Sequence, residues 1–327
     1  GRGWRRALRL AMAASAARCA SSARVLSVQS HTVRGYVGNK AAVFPMQLLG
    51  MEVDPFLTVH FSNRPGYPRL TGTTMDAAQF TEIADALREN DFLPQYTHVL
   101  TGYARGAELL RKLGSLIAES RSANPALTVL IDPVLGDNGA LYVPEENVPV
   151  YRDVLLPLAT LITPNQFEAQ LLSGVEIACA ADAARACDAL HDRGVPIVVI
   201  TSLDFPADGN GDDVRVLFAS DARGRVAGAA PKRFTIAVPK VEGTYVGCGD
   251  LFASLLLTHF YTGGDDLPKA LENACSTMLA VIRRTHQAGA PELQLIQSRE
   301  EILSPPGDLR AVRWAEASAQ GAPEGVR

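Results

Sequence analysis

A three-layer α/β/α sandwich around a mostly parallel sheet is the architecture this sequence predicts, on two observations. From Arg24 onward, short β-branched runs alternate with longer segments whose apolar residues recur at three- and four-residue spacing, the pattern of βα units. After Ser202 the texture turns to polar, turn-rich sequence between alternating runs, which predicts antiparallel strands appended to that sheet. The chain has 327 residues, 47% of them hydrophobic, and shows neither internal repeat nor linker, so one large domain is the economical reading.

In chain order, strands are expected at 24–30, 51–61, 97–102, 127–133, 159–164 and 196–202, where Val, Ile, Leu and Thr concentrate. Helices are expected at 41–50, 76–90, 106–120, 166–174 and 180–194, three of them closing on a glycine suited to a left-handed cap. FPADGNGDDV reads as a loop, and VRVLFAS, GRVAGAA and KRFTIAVP as antiparallel strands; long helices follow at 249–262 and 267–286. The domain is expected to span 24–304, with a peripheral tail at 305–327. The first 23 residues carry five arginines, and no acid precedes Glu52, which is transit-peptide chemistry; a true start at Met12 is the competing reading. A cytoplasmic location is expected, with mitochondrion or plastid as the alternative.

A formal net charge of −4 offers no global basic field for nucleic acid or an anionic membrane, and no apolar run has the ~18 residues that span a bilayer. Five cysteines, without a CxxC pair, argue against a disulfide framework or a structural zinc site. What remains is a local site. Open parallel sheets bind ligands beyond the carboxyl ends of their strands, and the unusual polar residues fall there: Ser30-His31, Gly102-Tyr103, DPVLGD at 132–137, TPNQFE at 163–168 and Thr201-Ser202.

The strongest local signal is VGCGDLF, in which Gly247, Cys248, Gly249 and Asp250 open an apolar helix. Glycines here let successive backbone N–H groups converge beside a helix N-terminus, an arrangement that binds phosphate. Asp250 reads either as a plain N-cap or as the base that takes a proton from an attacking hydroxyl. Asp132, Asp137, Asn165 and Glu168 would supply oxygens for Mg²⁺, or serve as turn and cap residues. There is no GxxxxGK[ST] and no protein-kinase motif set, so a phosphotransferase here has a third architecture.

From Val25 to about Ser304 the chain resembles pyridoxal kinases, of the ribokinase-like group. The resemblance is carried by VLSVQSHTVRGYVGNKAAVFPMQLLG, VLTGY, DPVLGD, LYVPE, ITPNQFEAQLLSG, VVITS, VGCGDLF and ELQLIQS. It implies ATP-dependent phosphorylation of the 5′-hydroxymethyl group of pyridoxal, pyridoxine or pyridoxamine. Asp250 would be the base, and Gly247, Cys248 and Gly249 the anion hole. Ser30, Val37, Pro65 and Tyr103 would hold the pyridine ring. Asp132, Tyr142, Asn165, Thr201, Ser202, Val241, Glu242, Gly243 and Cys248 would line the ATP site. Mg²⁺ or another divalent ion would be served by Asp137 and Asp132, and K⁺ or Na⁺ by Thr163, Glu168 and Thr201. A homodimer is implied, with no nucleic-acid or membrane partner.

Two departures stand out. Cys248 occupies a position where the family usually has Thr, and a thiol at a helix N-terminus is expected to be acidified and oxidisable. Arg64-Pro65 replaces a common His-Thr pair, placing a guanidinium near where a phosphate would form. The alternatives are a hydroxymethylpyrimidine kinase, a sugar or nucleoside kinase, and a non-catalytic carrier of pyridoxal phosphate. The first places Cys where this chain has Asp250, the second needs a sugar-binding signature that is missing, and the third would be marked by loss of Asp250 or of the acids.

Overall fold

Alternation along the strands explains the layering. In Thr128–Ile131, Val129 and Ile131 pack into one apolar cluster and Leu130 into another, so this strand is buried on both faces, as parallel sheets require. The computed structural model describes residues 23–203, 213–224 and 229–315. Its main sheet has ten strands: β1 (Arg24–Arg34), β2 (Glu52–Asn63), β3 (Gly72–Thr74), β4 (His98–Thr101), β5 (Thr128–Ile131), β8 (Leu161–Ile162), β9 (Ile197–Leu203), β10 (Val214–Asp221), β11 (Lys232–Pro239) and β12 (Val312–Trp314). A small hairpin, β6 (Gly136–Asp137) and β7 (Ala140–Leu141), stands apart.

The order is β12-β11-β10-β9-β8-β5-β4-β1-β2-β3, with β9 to β2 mutually parallel and antiparallel strands at both flanks. Against one face lie α2 (Ala77–Glu89), α3 (Ala107–Ala123), α5 (Gln166–Ser173) and α6 (Ala180–His191); a single helical turn, α4 (Asn147–Val150), precedes irregular turns up to Leu158. Against the other lie α1 (Asn39–Leu48), α7 (Cys248–Thr262) and α8 (Leu267–Gln287), followed by the short α9 (Arg299–Leu303). Leu251 through Phe260 are all buried, which makes α7 an interior helix.

The predicted sandwich is therefore the observed fold. The strands β3 and β12 carry too little pattern to be read in advance; β12 comes from the segment expected to be peripheral and pairs with β11. The N-terminal leader, the FPADGNGDDV loop for the most part, much of GRVAGAA and the end of the tail lie outside the described residues.

The chain runs from β1 outward to β2, then returns to place β4 on the other side of β1, with the following helices on opposite faces. That reversal opens a crevice at the carboxyl ends of β1 and β4, where Ser30 and Tyr103 sit.

Candidate active site

The parallel hydrogen-bond ladder continues past the strand ends and brings the predicted residues side by side. Gly102 N–H donates to Val28 O at 3.1 Å, Asp132 N–H to Thr101 O at 3.1 Å, Thr163 N–H to Ile131 O at 3.2 Å and Thr201 N–H to Pro164 O at 2.9 Å. One rim thus holds the residues that follow β4, β5 and β8, together with the second half of β1 and the end of β9.

Above this rim α7 begins. Gly247 is its N-cap, at φ +92°, and no side chain caps the helix, so its leading N–H groups face the cleft without an internal acceptor. A β-carbon at 247 would lie 1.9 Å from Tyr36 O, so both the dihedral and the close approach demand glycine. Asp250 is in the first helical turn, which removes the plain N-cap reading. Its carboxylate accepts from the Gly38 N–H and from its own, yet withdrawal from water outweighs both and lifts its pKa to about 6.

Asp132 comes close to the same turn: a β-carbon on Gly249 would lie 3.7 Å from Asp132 Oδ2. Asp132 is buried, and its carboxyl is held well above the usual carboxylate range by desolvation and then by the charges of Glu168 and Asp250, opposed by the Thr163 hydroxyl, which donates at 3.2 Å. Glu168, also buried, has its pKa raised by desolvation in spite of its hydrogen bonds. It accepts from Leu135 N–H at 2.7 Å, Gly136 N–H at 3.3 Å and Asn165 N–H at 2.9 Å.

Glu168 and Asn165 also form a capping box for α5, and Asn165 Nδ2 donates to Gly136 O at 2.7 Å. The bland roles foreseen for these two residues are therefore real, and Glu168 additionally ties DPVLGD to TPNQFE. In that loop Val134, a β-branched residue, is held at φ +39°. Asp137 is exposed on the β6–β7 turn, where Asn138 N–H donates to it at 2.8 Å, and Tyr142 stands 59% exposed beside it. Val241, Glu242 and Gly243 form an outer edge braced by Tyr245, whose hydroxyl donates to Glu242 O at 2.5 Å. Thr201 and Ser202 are half-buried on the same rim.

On the opposite wall Ser30 and Val37 are buried and Tyr103 is half-buried. A β-carbon at Gly38 would lie 2.3 Å from Ser30 Oγ, which puts the pocket wall next to the residue that donates to Asp250. Sequence reasoning left Tyr36 and Gly38 unassigned, although the YVGN run containing them carried the resemblance.

One expectation is corrected. Burial, reinforced by the charge of Asp250, pushes the Cys248 thiol up to about 12, the reverse of the acidified thiol expected at a helix N-terminus. Arg64, the other departure, is engaged by Glu292, Nε donating to both carboxylate oxygens at 3.1 Å, and both side chains are 13% exposed.

The phosphomethylpyrimidine kinase family model matches residues 101–295. Pyridoxal kinase from Arabidopsis thaliana is 44% identical over 302 residues, covering 89% of this chain and 95% of the relative. Pyridoxal kinase from Homo sapiens is 40% identical over 299 residues, covering 86% and 96%. Among solved structures, pyridoxal kinase from Leishmania donovani in complex with ADP and pyridoxine superposes with a TM-score of 0.83 at 38% identity, covering 89% of this chain and 99% of that one. Pyridoxal kinase from Trypanosoma brucei gives 0.79 at 34% identity, covering 89% and 100%.

Proposed function

Since this chain belongs to the pyridoxal kinase family and is an ATP-dependent kinase of vitamin B6, we propose that it transfers the γ-phosphoryl group with Asp250 as base and the opening turn of α7 as anion hole. The observation that carries this reading is the joint placement of an aspartate tuned to about 6 and an uncapped helix N-terminus at the switch point of the sheet.

Asp250 takes the proton of the 5′-hydroxyl as that oxygen attacks the γ-phosphorus and ADP leaves. Backbone N–H groups from Gly247 to Gly249 neutralise charge on the oxygens of the transferring group. Ser30, Val37 and Tyr103 hold the pyridine ring, with Pro65 at the pocket mouth. Asp132, Tyr142, Asn165, Thr201, Ser202, Val241, Glu242, Gly243 and the Cys248 backbone line the nucleotide side.

The acidic rim suits cations. Asp132 and Glu168 are buried carboxylates whose pKa values are raised first by burial, and then by the charges of Glu168 and Asp250 on Asp132 and of Asp137 on Glu168. Asp132 and Asp137 would serve Mg²⁺ through water, and Thr163, Glu168 and Thr201 a monovalent ion such as K⁺ or Na⁺. When bound, the divalent ion offsets phosphate charge. Among the described residues no three His, Cys, Asp or Glu side chains are arranged to hold a metal ion.

Family membership also supports a homodimer. Among the described residues no helix is long and apolar enough to cross a membrane. Cytoplasmic placement, or import into an organelle through residues outside the described ones, is part of the proposal.

The test is ATP-dependent formation of pyridoxal 5′-phosphate by the purified full chain in Mg²⁺ and K⁺, with pyridoxal, pyridoxine and pyridoxamine compared. Turnover that falls ~10²-fold or more in Asp250→Asn establishes reaction and base together. Tight binding of pyridoxal 5′-phosphate without turnover would favour the carrier.

A further inference from the structure

Arg64 and Glu292 are 228 residues apart in the chain yet meet beside the loop that follows β1. Besides its contacts to Glu292, the guanidinium donates through Nη1 to Pro65 O at 2.8 Å and through Nη2 to Pro291 O at 2.7 Å. It also lies 5.0 Å from the centre of the Tyr67 ring, whose hydroxyl donates to Glu292 Oε1 at 2.5 Å. The same carboxylate reaches a third segment. Tyr36 N–H approaches Glu292 Oε2 at 3.4 Å, and a β-carbon on Gly35, at φ +95°, would lie 2.8 Å from that oxygen. One carboxylate therefore joins the loop after β1, the turn between β2 and β3, and the segment after α8.

What it joins is one step from the chemistry. Tyr36 O packs under Gly247, and Gly38, two residues on, donates to Asp250. We propose that Arg64, Tyr67 and Glu292 form a clamp that fixes Tyr36 to Gly38, making Glu292 and Arg64 positioning residues for the vitamin alcohol and for the base. This rests on the reading of Asp250 given above. A largely enclosed, charge-assisted contact is a firm tether, weakly screened by salt. The nucleotide residues that follow β5 and β8 and end β9 lie on strands that the clamp does not touch, whereas Gly247, which Tyr36 O does meet, acts on the transferring phosphoryl group and so on kcat.

Steady-state kinetics of the full chain as Arg64→Ala, Glu292→Ala, the double variant and Tyr67→Phe tests the clamp. Each single alanine variant should raise KM for pyridoxal about tenfold and leave KM for ATP within about twofold. The acid limb of the pH profile should move to higher pH, because a displaced Gly38 N–H no longer stabilises ionised Asp250. The double variant should be no worse than the worse single one, since both break one contact. Tyr67→Phe, which keeps the ion pair and the ring, should shift the same quantities in the same direction by about twofold.

Parallel rises in both KM values, additive effects in the double variant, or a fixed pH profile would overturn the clamp. So would an unchanged pyridoxal KM with weakened inhibition by pyridoxal 5′-phosphate in Arg64→Ala, which would make Arg64 a phosphate ligand. If the parent chain makes no product, it is the kinase reading that fails; the clamp is then judged by direct pyridoxal binding, with about tenfold weaker affinity in the alanine variants supporting it and unchanged affinity rejecting it.

Discussion

Asp250 and Glu168 are both carboxylates withdrawn from water with raised pKa values, and their surroundings differ in one respect that separates their roles. Glu168 accepts from three backbone N–H groups belonging to other residues and ties two loops together. Asp250 accepts from the Gly38 N–H and its own. A perturbed pKa therefore does not identify a base by itself. The carboxylate held by three N–H groups of other residues is a brace, and the one less engaged by the fold, at the cleft, is available for a proton.

The comparison is broken most severely if Asp250→Asn retains activity. In the parent, kcat/KM should fall about tenfold per pH unit below about 6, as Asp250 becomes protonated. Stability should move the other way. The folded-state pKa lies above the ordinary 3.8, so the stabilisation that comes from protonating Asp250 is complete below about pH 4 and is lost as pH rises through about 6. Asn never ionises. The inactive variant should thus gain about 2–5 °C in Tm over the parent between pH 4 and pH 7, measured by calorimetry across that window.

Glu168→Ala should do the reverse. Removing the acceptor orphans two buried N–H groups and one half-buried one at ~1–3 kcal/mol each, so a fall of about 10 °C in Tm is expected. An unchanged Tm would show that Glu168 braces nothing. Gly247→Ala comes next, with about tenfold lower activity and a Tm loss of about 5 °C, because Tyr36 O has to move. Cys248→Thr should be the mildest, within about threefold of the parent, and peroxide should not inactivate the parent through this thiol, which stays protonated at neutral pH. Inactivation that Cys248→Thr prevents would restore the expectation drawn from sequence.

These outcomes also mark what was legible in advance. The parallel strands and their helices follow from period-2 and period-3.6 patterning, and Asp250, Asp132 and Glu168 follow from chemistry-bearing residues at strand ends. Backbone donors leave no residue-type signal, so Gly38 could not be assigned. The direction of the Cys248 shift depends on how much burial outweighs the helix terminus, which spacing does not encode. Arg64 was legible as a departure, but its partner lies 228 residues away, and only the fold brings Glu292 to it.

The strand β12 has a consequence of another kind. It pairs with β11 through Arg233, Phe234 and Thr235, stacks Trp314 edge-on against Phe218 at 5.3 Å and receives the Arg233 guanidinium over the indole at 5.6 Å. Synthesis is vectorial, so β11 leaves the ribosome some 70 residues before the segment that covers its free edge, and a nascent sheet carries unpaired amides for several seconds at ~5–20 residues per second. Expression hosts with slow elongation or scarce chaperones should accumulate aggregate from this protein, and shortening the chain before Val312 should make that window permanent.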